Sequence, residues 1–143
     1  MGNNQNFQED DKAVQNALSL LGKPRWRKKA LAALAAGLAE AESAADAALE
    51  DEFQRLAALW AEETQNLSSV QEIALHPAYQ QIIGMGDQAI PWILRELQQR
   101  PNHWFWALRA ITRENPVSEQ EQGRVPAMIN AWLKWGKDRG YLD

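Results

Sequence analysis

The chain has 143 residues, seven Trp, no Cys, and fifteen Lys or Arg against nineteen Asp or Glu, a formal net charge of −4. This composition excludes disulfides and thiolate chemistry, offers polyphosphate no general attraction, and fits a reducing, cytoplasmic setting. The longest uncharged apolar run, Ala30 to Ala39, falls well short of the roughly 20 residues that a membrane span needs.

The residues are unevenly spread. Residues 1–75 hold two Trp and seven basic against twelve acidic side chains, whereas residues 76–143 hold five Trp and eight against seven. The packed core is therefore expected in the second part. Residues 1–9 are polar and Asn/Gln-rich, with only Phe7 to bury, and read as a disordered tail. From Asp10, Val14, Leu18 and Leu21 fall at helical spacing, and Gly22 with Pro24 supplies a stop, which predicts a short first helix.

Between Trp26 and Asn66 there is neither Pro nor a turn cluster, and Ala, Leu, Glu, Gln and Arg dominate. One long Ala-rich helix, 26–66, is expected, with Gly37 and Ser43 as the places where it would break. Leu31, Leu34, Leu38, Ala41 and Ala45 form a seam that resumes one residue out of step at Leu49, Phe53, Leu56 and Trp60. Such a helix calls for a partner, either another protein or a second copy of the chain. The order basic cluster, Ala-rich run, Ala39-Glu40-Ala41 mimics a secretory leader, but the long polar stretch before it and the weak hydrophobicity of Ala favour the helix.

Ser68-Ser69 with Glu72 reads as a capping box, and His76-Pro77 opens a further short helix. In Gly84-Met85-Gly86-Asp87, a glycine is expected to cap one helix left-handed and Asp87 to cap the next at its N-terminus. Helix 88–99 would bury Ile90, Ile93, Leu94 and Leu97. Helix 103–113 would bury Trp104, Ala107, Leu108 and Ile111, making an antiparallel hairpin with it. A last helix, 124–138, would turn Val125, Ile129 and Trp132 inward and close near Gly140. The expectation is an all-α protein in three parts: a tail over 1–9, a helical segment over 10–67, and a compact Trp-rich domain over 68–143.

Few residues point to chemistry. His76 and His103 are the only histidines, and both stand where capping residues stand; without Cys they lack the companions that a zinc site needs, so neither metal nor cofactor is expected. Gly84-x-Gly86 lacks the strand and third glycine of a dinucleotide loop, and no Gly-x-Ser-x-Gly elbow occurs, so an enzyme is not expected. Lys23, Arg25, Trp26, Arg27, Lys28 and Lys29 offer cations and one ring to nucleic acid, although acids follow directly over 40–52. Trp92 lies off the predicted buried stripe, and Trp106 shares a face with Arg109 and Arg113; with Trp135 these are the candidate partner-binding residues, exposed Trp beside Arg being typical of hot spots. The competing reading is that the Phe53-Leu56-Trp60 stretch covers these rings.

The spacing Gly86-x-x-Ala89-Ile90-Pro91-x-Ile93-Leu94-x-x-Leu97, followed by Ala107-Leu108-x-x-Ile111, resembles a HEAT-type repeat, and Trp132-x-x-Trp135 resembles the tails that follow such repeats. Over residues 53–142, the strings Leu67-Ser68-Ser69, His76-Pro77-Ala78-Tyr79-Gln80, Ile83-Gly84-Met85-Gly86 and His103-Trp104-Phe105-Trp106-Ala107-Leu108 are similar to a family of short uncharacterised bacterial proteins. The HEAT resemblance implies a helical hairpin that stacks on neighbours; the second carries no activity. The expected function is a non-catalytic interaction module or adaptor, with the neutralising partner of a toxin–antitoxin-like two-gene system as its specific form. The alternative is a nucleic-acid-associated accessory protein using residues 23–29.

Overall fold

A computed structural model describes residues 25–143, and the expectations for the tail, the first short helix and Lys23 lie outside them. The described residues form an all-α fold without strands: α1 (Arg25–Thr64), α2 (Val70–Ala74), α3 (Pro77–Gly84), a 3₁₀ turn (Gly86–Ala89), α4 (Ile90–Gln99), α5 (Phe105–Thr112) and α6 (Val125–Asp138). α1 passes Gly37 and Ser43 without a break, as its strong helix formers allow.

The chain divides into two units at Asp46/Ala47. The expected boundary at 67/68 is therefore displaced, because the second part of α1 belongs to the compact unit. Phe53 and Trp60 are wholly buried, and Leu56 and Ala57 nearly so, in one cluster with residues of α2 to α6. Large side chains at three- and four-residue spacing make this stretch a core element.

Aromatic rings occupy the centre. Trp60 lies 4.5 Å from Trp104 and 5.0 Å from Tyr79, and Phe53 lies 5.8 Å from Trp104, between ring centroids. Their polar atoms are satisfied: Trp60 Nε1 donates to the Ile73 carbonyl at 2.9 Å, and the Tyr79 hydroxyl donates to the His103 carbonyl at 2.9 Å while accepting the Ala107 amide at 2.7 Å. Burial pushes the Tyr79 hydroxyl far above its ordinary titration range, and the bond from Ala107 only partly offsets this. These bonds tie α1, α2, α3 and the start of α5 together, so the core is specific as well as apolar.

Local signals set the remaining ends. Ser69 Oγ accepts the Glu72 amide at 3.4 Å, as its capping role predicts, and His76 Nδ1 caps α3 by accepting the Ala78 amide at 3.1 Å. Gly86 takes the left-handed conformation at φ 72°. Asp87 corrects the expectation: it lies inside the 3₁₀ turn, Ala89 precedes α4, and no side chain caps that helix. α4 packs mainly on α6 and α5 mainly on α3. Gly136 allows the close approach of α6, since a Cβ there would come within 2.7 Å of the Leu94 side chain.

Candidate functional site

A half-open groove of about 820 Å³ runs beside α5. One wall is α5 itself, contributing Phe105, Trp106, Arg109 and Ala110. The opposite wall comes from the irregular segment 113–125 and the start of α6, with Val117, Val125, Met128 and Trp132. Trp106 reaches it because α5 buries Ala107 and Leu108, which turns the residues at 106, 109 and 110 outward.

Three of the five predicted partner-binding residues meet here. Trp106 is 44% exposed, Arg109 and Arg113 are exposed, and all three line the groove. Arg113 ends α5 at φ 60°, in the left-handed region that L side chains populate only at a cost of about 1 kcal/mol. Neither arginine forms an ion pair among the described residues. The acid on this wall, Glu114, is already bound by Arg139. The groove thus presents two uncompensated cations beside apolar and aromatic surface.

One buried polar atom behind this lining is unsatisfied. Trp132 lines the groove and is wholly buried, and its Nε1–H has no acceptor among the described residues. A buried donor without a partner costs about 1–3 kcal/mol, and because this nitrogen has no exposed surface it is closed to an occupant of the groove.

The other two predicted residues lie elsewhere. Trp92 is only 8% exposed, with its ring 5.7 Å from that of Phe53, so it is a core residue and does not offer a free face. The stripe Ile90, Ile93, Leu97 is not the only buried part of α4: Trp92, on another side, meets Phe53 of α1. Trp135 is half-buried: it meets Trp132 edge-on at 5.3 Å, stacks on Tyr141 at 5.5 Å and lies under the Arg139 guanidinium, outside the groove lining. Val125, expected inward, is 43% exposed and lines the groove.

His76 and His103 are not drawn into one set. His76 Nε2 donates to Glu63 at 2.6 Å while its other nitrogen caps α3, and the His103 ring lines the groove without capping α5. Among the described residues no group of acids and histidines is arranged to hold a metal ion. Trp26 is 49% exposed and Arg27, Lys28 and Lys29 are exposed at the start of α1, where Arg25 begins the helix. No described helix is long and apolar enough to cross a membrane.

Residues 114–124 are the part of the site that sequence reasoning missed. They carry no period, but Ser118 and Glu121 form a reciprocal capping pair there, Ser118 Oγ accepting the Glu121 amide at 3.3 Å and Glu121 Oε2 accepting the Ser118 amide at 3.2 Å. That Ser-x-x-Glu spacing was the legible signal. No family model matches the chain, and no curated protein or solved structure is significantly similar to it.

Proposed function

We propose that the protein is a non-catalytic interaction module whose α5 groove holds a segment of another protein, one that pairs an apolar anchor with a carboxylate. The observation that carries this is the juxtaposition of half-exposed Trp106 with Arg109 and Arg113, neither of them ion-paired, over an apolar floor. Trp and Arg dominate binding energy where water is excluded, and two cations select an acidic partner. A neutralising role in a toxin–antitoxin-like pair is the specific form we give this module, supported by its small size and acidic balance.

The test is affinity capture from the source cell, read by mass spectrometry, with Trp106→Ala, Arg109→Ala and Arg113→Gly variants. Trp106→Ala is expected to lower recovery of the specific partner by an order of magnitude or more, an effect of roughly 2 kcal/mol. Arg113→Gly removes a cation while relieving the left-handed strain, so it should weaken capture without lowering stability. Unchanged capture by all three variants would refute the assignment. A partner that is toxic when expressed alone and harmless with this chain would establish the antitoxin form.

A further inference from the structure

The first stretch of α1, residues 25–46, leaves a leucine face in solvent. Leu31, Leu34 and Leu38 are 54%, 65% and 64% exposed, and Ala41 and Ala45 continue the same three-and-four spacing. Helices in water owe most of their stability to packing of such a face, so this one is incomplete alone. Its charges are also segregated. Arg27, Lys28 and Lys29 come first, residues 30–39 carry no charge, and Glu40, Glu42 and Asp46 follow. All six are exposed, and none forms an ion pair among the described residues.

We propose that a second copy of this chain covers the face, the two 25–46 stretches running antiparallel about Ala36. Leu31, Leu38 and Ala45 occupy one core position of a seven-residue repeat, and Leu34 and Ala41 occupy the other. In an antiparallel pair the two core positions face each other, which sets Leu34 against Leu38 of the second copy twice over, with Leu31 against Ala41 on either side and Ala45 against the stem of Arg27 at each end. The same alignment places Lys28 and Glu42 at equivalent positions flanking the core, each facing the other's counterpart, so two symmetric ion pairs form. Ala35, at that flanking position between them, is small enough to let the axes approach.

A parallel pair fails on the same charges. It would set the two basic starts side by side and the two acidic stretches side by side, and would align the helix dipoles. An anionic partner such as nucleic acid would engage the basic end and leave the leucines and acids bare. The antiparallel copy covers the leucines and pairs Lys28 with Glu42, which neither alternative does. This dimer stands independently of the α5 groove.

The chain has no Cys, so single Ala36→Cys and Ser43→Cys variants of the full chain can each be spin-labelled on the helix side away from the leucines. Sedimentation should give a dimer. The label at 36 should report a shorter separation than the label at 43, because in this alignment the two Ser43 residues lie about 21 Å apart along the axis at about 1.5 Å per residue, while the two Ala36 residues lie level. Lys28→Glu should weaken the dimer about tenfold, and Lys28→Glu with Glu42→Lys should restore it. Equal separations at the two labels would mean a parallel pair and overturn the proposal. So would a monomer at every concentration, as expected if residues 1–24 of the same chain cover the face, or a failure of the charge reversal to restore association.

Discussion

The two stretches of α1 share one helix and one seam spacing but differ in fate. Before Asp46 the seam is Leu31, Leu34 and Leu38 with Ala41 and Ala45, and the three leucines are more than half exposed. After Ala47 it is Leu49, Phe53, Leu56 and Trp60, of which the last three are buried against α2 to α6. Helical propensity is high throughout and accounts for the continuity of the helix. Burial does not follow from propensity or from leucine itself, since Leu56 is buried where Leu31, Leu34 and Leu38 are not; the second stretch adds Phe53 and Trp60, which bury well over a hundred Å² each, where the first adds only alanines.

Three substitutions sharpen this contrast. Trp60→Ala should have the largest effect, lowering unfolding free energy by about 3–5 kcal/mol in urea titrations, because it empties the centre of the aromatic cluster and strands the Ile73 carbonyl. Tyr79→Phe should cost about 1–3 kcal/mol at neutral pH by removing the hydroxyl that bridges His103 and Ala107. Its pH dependence is distinctive. The folded hydroxyl titrates above its unfolded value of 10.0, so its stabilisation is complete below pH 10 and declines as pH rises beyond it. Stability curves of wild type and Tyr79→Phe should therefore converge in strongly alkaline solution, and a constant gap would contradict the burial argument. Leu34→Ala should be smallest, within about 0.5 kcal/mol at dilutions where the chain is monomeric, since the leucine it shortens already faces water.

The helical class was legible because the periodic segments are long and their ends are marked, as at Ser69, His76 and Gly86. The face shared by Trp106, Arg109 and Arg113 was legible from the same three- and four-residue spacing. For Trp92 the two sequence readings part: the hot-spot reading fails, and the reading in which the Phe53-Leu56-Trp60 stretch covers the ring holds, since a helix enclosed on two sides has two buried faces. The irregular part of the opposing wall was invisible because residues 114–124 have no period, and Val117 becomes a core residue only once α5 and α6 are placed around it. The left-handed Arg113 likewise carries no local signal, since a glycine would be the expected residue at that φ.

Unfolding of the isolated segment 47–143, beside the full chain, tests the division of α1 most directly. The segment should retain cooperative denaturation and the near-ultraviolet circular dichroism of its buried tryptophans, because Phe53, Leu56 and Trp60 remain to close the core. A segment that keeps helical content but loses cooperativity and the aromatic signal would mean that residues before Ala47 belong to the core, contrary to this account.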